Sequence, residues 1–338
     1  SPSTMFRGIR KLPPGHLLTL EIPEDGDAAP GEPEVRRYFD LAFLPKRRIT
    51  EQDAVHEVRE RIHESVRSHL ESDVQVGAFL SGGMDSSLVV ASMARTLGAG
   101  FPTFAVGVAE QDFDELPFAR EVATRYGTDH HEQTVRPDLV RLLPTLIRHL
   151  DEPSDPIAAC QYLAAELAVR TVKVVLTGDG GDELFGGFDR YLGFGRVGPY
   201  AALPRWIRRG LLGPVLDRLP DSAGYKNVTQ KARWVHRLSF HRGGRRYAEA
   251  TAFFRFGEGD KTGLYTPRIV ERLAGRDATA CIVEAFESAR AEDDLDRMLH
   301  ADIVTRLPEH SLMLTDRMTM AHGLESRSPF LDRPLAEY

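Results

Sequence analysis

Cysteine is scarce in this chain. Its 338 residues include two, Cys160 and Cys281, and neither lies in a CxxC pair or a Cys/His pattern with metal-ligand spacing. A thiol-ligated metal is therefore not indicated, and the low usage fits a reducing, cytoplasmic compartment. Cys160, in AACQYLAAELA, reads as a small residue on the core side of a helix. Long apolar runs are missing too, with none near the roughly 20 residues that span a bilayer. SPSTMFRGIRK lacks the apolar segment of a signal peptide, so no membrane role is expected. Positive charge is not in excess: 43 basic against 50 acidic residues leave a net charge of -7. That gives no electrostatic footprint for non-specific nucleic-acid binding, although it leaves room for a local basic patch. The chain has no Gly-Lys pair, which excludes a Walker A loop. Its GxGxxG match, Gly193, Gly195 and Gly198, follows no apolar strand and reads as chance. Internal repeats and low-complexity tracts are absent.

What is present is ordinary globular material, 42% hydrophobic and 28% charged. The length favours one large domain plus a smaller piece. Over the first 45 or so residues short apolar runs alternate with Pro and Gly, predicting brief strands and turns, with EDGDAAPGEPE as an exposed loop. The pattern changes near Thr50. Thr50 reads as an N-cap, and Ala54, Val58, Ile62, Val66 and Leu70 follow at helical spacing, so a new domain begins there. Thereafter VQVGAFL (74–80), PTFAVGV (102–108), HHEQTV and VKVVLTG (172–178) alternate with helical segments. This predicts an α/β fold, a doubly wound parallel sheet covered on both faces, with ligands at the carboxyl ends of the strands. Polar clusters follow Leu80, Val108 and Leu176 at such ends. Beyond Tyr191 helices and loops predominate. The chain starts at Ser1 and stops inside what reads as continuing helix, as a portion of a longer protein would.

FLSGGMDSS (79–87) follows the first of these strands. Two adjacent glycines let successive backbone N–H groups point into one concavity, and the next helix adds its positive N-terminal end. Ser81, Ser86 and Ser87 surround this anion cradle with hydroxyls. Asp85 does not suit a bare phosphate site unless a divalent cation lies between carboxylate and phosphate, which argues for Mg²⁺ with a polyphosphate. The plainer alternative is that Asp85 caps the helix. LTGDGGDELFGG repeats the logic, with Gly178, Gly180 and Gly181 interleaved with Asp179, Asp182 and Glu183. Two glycine–acid turns ending two strands of one sheet can face each other. Acids crowded there are costly unless a cation or cationic substrate compensates; a surface turn that favours Asp and Gly is the alternative.

SGGMDSS resembles the pyrophosphate loop of the N-type ATP pyrophosphatases, and LTGDGGDELFGGFDRY is similar to the matching loop of asparagine synthetases. DRMTMAHGLESRSPFLD (316–332) looks like that family's C-terminal signature. FRGIRKLPPGHLLTLE with RRYFDL resembles the segment joining its glutaminase and synthetase domains. The resemblance, which runs over almost the whole chain, implies a sheet of the ATP pyrophosphatase (adenine nucleotide alpha hydrolase-like) type with a mostly helical C-terminal part. Residues 1–48 would be the end of a glutaminase domain plus linker, and 49–338 the synthetase-like domain. It also implies the reaction: a carboxylate, the L-aspartate side chain first of all, attacks the α-phosphorus of ATP, pyrophosphate leaves, and ammonia displaces AMP to give asparagine.

Residue by residue, the resemblance gives Ser81, Gly82, Gly83, Asp85, Ser86 and Ser87 to the pyrophosphate. It gives the backbone at Leu80, Val106, Thr177 and Gly178 to adenine and ribose, and Asp85 and Asp182 to Mg²⁺. Asp179 takes a position where some relatives carry a glutamate assigned to binding or deprotonating ammonia. Arg317 falls where relatives carry a basic residue near the phosphates; an exposed helix arginine is its plainer reading. Glu115, with Asp114, could reach the metal or substrate side. DEPSDPIAAC (151–160) falls where the family shapes its amide-acceptor pocket, in wording that departs from housekeeping asparagine synthetases. The family hydrolyses glutamine with an N-terminal cysteine in a separate domain, so no glutaminase activity is expected from this chain alone, and ammonia would come from such a domain. The family's downstream catalytic lysine would lie after Tyr338. A homodimer is compatible with the resemblance. Competing readings are a relative that activates another carboxylate (a polysaccharide, peptide or dipeptide acid, or a β-amino acid for cyclisation), a tRNA-modifying ATP pyrophosphatase, disfavoured by the acidic charge, and a non-catalytic nucleotide-binding module.

Overall fold

Short alternating runs near the start of the chain form β1 (His16–Thr19) and β2 (Glu34–Arg37), an antiparallel pair in which Leu18 faces Val35. The structure, a computed structural model, describes residues 3–23, 31–109, 114–136, 138–153, 155–220, 228–251, 261 and 263–338. Most of the expected loop EDGDAAPGEPE lies outside these residues. The chain forms two compact units, one of Ser1–Thr4, Gly8–Lys46 and Gly186–Thr305, the other of Met5–Arg7, Arg47–Phe185 and Arg306–Tyr338. Residues 186–305 pack in the unit that holds β1 and β2.

The second unit opens with α1 (Glu51–His69), capped as its sequence predicts: the Thr50 side chain accepts the Asp53 N–H at 3.2 Å. Helices and strands then alternate as β3 (Val76–Phe79), α2 (Met84–Leu97), β4 (Pro102–Val108), α3 (Leu116–Tyr126), β5 (Asp129–Val135), α4 (Leu139–Leu150), α5 (Ile157–Ala168), β6 (Val174–Leu176) and α6 (Gly181–Phe185). Strand β7 (Glu325–Arg327) completes a five-stranded sheet of order β5-β4-β3-β6-β7, every neighbouring pair parallel. Successive side chains of a strand point to opposite faces, and both faces here are apolar. Val76, Ala78, Val174 and Leu176 pack with Ile62 and Val66 of α1, Val89 and Met93 of α2, and Ala119 of α3. On the other face Val175 and Phe104 pack with Ala165 and Ala168 of α5. Burial on both sides explains why β3, β4 and β6 read as continuous apolar runs. The fold class expected from sequence, a doubly wound α/β sheet, is the one observed.

Strand order places the site. From β3 the chain moves outward through β4 to β5, then returns to pair β6 on the other side of β3. The order reverses between β3 and β6, and such switch points leave a crevice outside the carboxyl ends of the strands.

The first unit is largely helical. Its core gathers Tyr191 and Phe194 from α7 (Asp189–Ala201) around Trp234, Tyr247 and Phe286. The GxGxxG glycines lie inside α7, and a Cβ on Gly193 would come within 2.6 Å of the Trp234 ring. That glycine serves packing. Buried Asp302 accepts hydrogen bonds from Arg190, from the Tyr191 hydroxyl and, at 2.6 Å, from the Tyr247 hydroxyl.

At mid-sheet, a Cβ on Gly77 would stand 2.8 Å from a ring carbon of Phe104 and 3.0 Å from the Pro102 carbonyl. Gly77→Ala is expected to destabilise the protein by about 1–3 kcal/mol through overpacking, read as a lower urea midpoint. An unchanged midpoint would show that this layer has slack.

Candidate active site

The turn after β3 is held by its own polar groups. Leu80 N–H donates to the Phe104 carbonyl at 2.8 Å, anchoring the strand end. Ser81 Oγ accepts the Gly83 N–H at 3.2 Å and lies 3.1 Å from Ser86 Oγ, which accepts the Ser81 N–H at 3.3 Å and donates to the Gly83 carbonyl. An anion entering the loop would thus compete with the Ser81 hydroxyl for the Gly83 N–H. Gly82 has φ +81°, and a Cβ there would overlap Ala119 N and Phe118 Cβ at 2.5 Å, so glycine is required by both conformation and space. Helix α2 starts with Gly83 as its N-cap and no side-chain cap, and Ser87 N–H bonds the Gly83 carbonyl. Asp85 lies in the first turn and does not cap; the capping alternative is not what the structure shows.

The turn after β6 meets this one. A Cβ on Gly178 would lie 2.9 Å from Ser86 N and 3.0 Å from Asp85 Cβ, and one on Gly181 only 2.4 Å from Asp85 Cγ. Gly180, with φ +92°, abuts Leu331 in the same way. Backbone thus packs directly on the Asp85 side chain, and Asp182 follows at the start of α6. Burial first, and the Asp182 charge second, push the Asp85 carboxyl up to about 6. Two carboxylates forced into one another's field form a site that a cation relieves. Among the described residues no cluster of three or more His, Cys, Asp or Glu side chains could hold a metal. A pair of carboxylates is instead the donor set that suits Mg²⁺, which keeps several waters and binds one or two carboxylates together with substrate phosphates.

Asp179 lies in the turn between β6 and α6. Its carboxylate accepts from the Thr177 hydroxyl at 3.0 Å and from the Thr315 hydroxyl, and burial raises its pKa against these two bonds. Thr177 Oγ1 also lies 3.1 Å from Ser328 Oγ, and Gln161 Nε2 donates to Thr315 Oγ1 at 3.0 Å. Helix α5, β6, the Leu312–Met320 helix and the residue after β7 therefore converge on one carboxyl group. Sequence reasoning missed Gln161, Thr315 and Ser328. The available signal was a polar residue on an apolar helical face: Thr315 lies beside buried Leu314 and Met318.

The other expected residues fall as follows. Val106 lies on β4 next to β3 and pairs with Gln133. Thr177 N–H donates to the Arg327 carbonyl at 2.9 Å, so a nucleotide contact at Thr177 or Leu80 would use carbonyl oxygens. Glu115 is the N-cap of α3, with burial raising its pKa, and Asp114 Oδ1 accepts the Leu116 N–H at 3.2 Å. Arg317 is exposed and lies 3.5 Å from Asp151 Oδ2, its ionic partner among the described residues. Asp151 closes α4 in the left-handed region at φ +61°; Ser154 of the same segment lies outside the described residues. Cys160 is half-buried on α5, and Cys281 is exposed.

Glycine–acid turns on the two interior strands that flank a switch point define an α/β protein with a candidate anion site at the carboxyl ends of its strands. Residues 57–338 match the model of the family described as asparagine synthase, and the chain belongs to that family. It is 33% identical over 344 residues to asparagine synthetase [glutamine-hydrolyzing] 1 of Bacillus subtilis, an alignment covering 98% of this chain and 49% of that protein. A putative asparagine synthetase of Mycobacterium tuberculosis is 32% identical, with 98% and 48% covered. A Gibberella zeae protein named as an amidase is 27% identical, with 99% and 52% covered. The chain spans about half the length of these relatives.

The Asp85 pKa has a consequence for stability. Because the folded pKa is raised from the usual value of about 4, Asp85 favours folding in its protonated form. That contribution is present below pH 4 and is lost as pH rises through about 6. Without nucleotide or Mg²⁺, Asp85→Asn should therefore gain stability relative to the wild type between pH 4 and 6 and hold a constant difference above. Denaturant unfolding across pH 4–8 reads this; a difference independent of pH would mean that Asp85 is solvated.

Proposed function

We propose that this chain carries out the ATP-dependent half of an amide synthesis: it adenylates a carboxylate, first of all the L-aspartate side chain, and passes ammonia to it, forming asparagine, AMP and pyrophosphate. The observation that carries this reading is the packing of the β6 turn on Asp85, which brings two acids to a serine- and glycine-lined loop at a helix N-terminus. Membership of the asparagine synthase family supports it. ATP is the co-substrate.

In this reading the Gly82 and Gly83 N–H groups and the Ser81, Ser86 and Ser87 hydroxyls hold the leaving pyrophosphate as its charge grows. Asp85 and Asp182 would hold Mg²⁺. When bound, the ion supplies charge neutralisation at the phosphates. Carbonyl oxygens of Leu80 and Thr177, with backbone at Val106 and Gly178, line the place of adenine and ribose. Asp179 binds the incoming ammonia or takes its proton; burial suits it to the proton, and Thr177 and Thr315 fix its orientation. Arg317 leaves Asp151 for the phosphates, and Glu115 serves the metal or substrate side. Residues 151–160 shape the acceptor pocket, and Gln161 ties that segment through Thr315 to Asp179. Ammonia comes from a glutaminase domain.

A second reading keeps the chemistry and changes the carboxylate. The amidase-named relative, aligned over nearly the whole chain, favours carrying it forward, as does the wording of residues 151–160.

Pyrophosphate exchange tests both. With Mg²⁺ and ATP, labelled pyrophosphate should enter ATP when L-aspartate is added, and Asp85→Asn should lower the rate by about 10²-fold or more. Exchange with another carboxylate in place of aspartate moves the assignment to the second reading. ATP binding without exchange for any carboxylate tested leaves a nucleotide-binding module.

A further inference from the structure

The chain is acidic overall, yet the unit that does not contain the two glycine turns holds a cationic cavity of about 620 Å³. Arg205, Arg208, Arg242 and Arg246 line it with His241 and Phe240, and no acidic residue is among its described lining. The signal is visible in the sequence as RWIRRG and HRGGRR, two short clusters that no reading of the opening motifs used. None of the four arginines lies within ion-pair distance of a described carboxylate.

Two of the guanidinium groups, those of Arg208 and Arg246, are held in place. Arg208 is buried, with Nε on the Leu203 carbonyl at 2.9 Å and Nη1 on the carbonyl and hydroxyl of Ser239 at 2.6 and 2.8 Å. Arg246 Nε donates to the His241 carbonyl at 2.9 Å. Fixing Nε on backbone sets the plane of each fork and leaves Arg208 Nη2 and both Arg246 Nη groups without a described protein partner. Arg246 can thus meet an oxyanion bidentately through its two Nη groups, and Arg208 adds a single donor, Nη2. Burial and the nearby Arg242 and Arg208 charges pull Arg246 below the ordinary guanidinium range, against the opposite pull of Asp294. Like charges gathered in a concavity of ligand size are relieved by an anion.

We propose that this arginine cavity binds a small polyanion, a phosphate- or pyrophosphate-bearing molecule, at a site separate from the β3/β6 crevice. A nucleic acid suits the cavity less well. Its aromatic lining residue, Phe240, already has the Arg208 and Arg205 guanidinium groups 5.0 and 5.9 Å from its ring centre, where a base would have to stack.

Calorimetric titration of inorganic pyrophosphate into the full chain, with and without Mg²⁺, tests the proposal. Two classes of site are expected. Arg205→Gln with Arg242→Gln changes exposed side chains that make no described hydrogen bond, so the fold should survive. This variant should weaken one class by about tenfold or more, the loss of a charge-assisted contact, and leave the other untouched. Ser86→Ala should do the reverse. Arg246→Gln should weaken the same class as the arginine pair. Pyrophosphate binding unchanged in the arginine variants, with unaltered circular dichroism and melting temperature, overturns the proposal. So does a single-stranded oligonucleotide that binds through the same arginines while pyrophosphate does not.

Discussion

There is no room for a side chain between the β6 turn and Asp85. β3 and β6 pair in parallel with Val76 opposite Val174 and Ala78 opposite Leu176, so both strands end at the same level of the sheet. Their turns leave side by side, and the absence of a Cβ at Gly178 and Gly181 lets the second backbone rest on the first acid. The Asp85 carboxyl is desolvated by that contact and feels Asp182 as well. Sheet order, glycine placement and the electrostatics of the site are thus one constraint seen at three scales. A larger residue at either glycine would separate the acids or break the pairing of the strand ends.

A second layer depends on residues far apart in the chain. Asp179 is held by its near neighbour Thr177 and by Thr315, while Ser328 and Gln161 steady those hydroxyls from other elements. The C-terminal signature at 316–332 overlaps this layer: its SRSPFLD portion begins within β7, whose Arg327 carbonyl receives the Thr177 N–H, and supplies Leu331 against Gly180. A network of this kind orients a proton-binding group without adding charge to it. It gives the family's spaced motifs a physical reason to occur together.

The middle of the sheet was legible because β3, β4 and β6 are buried on both faces and so stand out as apolar runs, each ended by glycine or polar residues. The polar edge strand β7, Glu325–Arg327, carries no such run and was not read from sequence. PTFAVGV coincides with β4 from end to end, and Thr50 caps the helix its sequence announces. The two turns were legible because acids among glycines at strand ends are chemically unusual. Long-range partners were not: a threonine or glutamine on a helix looks the same in sequence whether it faces solvent or a carboxylate. The division of the chain was hidden for a similar reason, since residues 186–305 follow the sheet's last glycine turn without a break in composition yet share a unit with residues 8–46. The same holds for the ten-residue π-helical stretch Asp302–Ser311. Pro308 within it lacks the N–H that a tighter helix would use.

The central claim is that Asp85 and Asp182 act together on one cation beside a bound polyphosphate. A double-mutant cycle measures this directly: the Mg²⁺-dependent part of ATP binding in the wild type, Asp85→Asn, Asp182→Asn and the double variant. A shared ion predicts strong coupling, with the second substitution costing little once the first is made and an interaction energy of about 1 kcal/mol or more. Losses that add within about 0.5 kcal/mol would mean that the two carboxylates act apart, and would contradict the account.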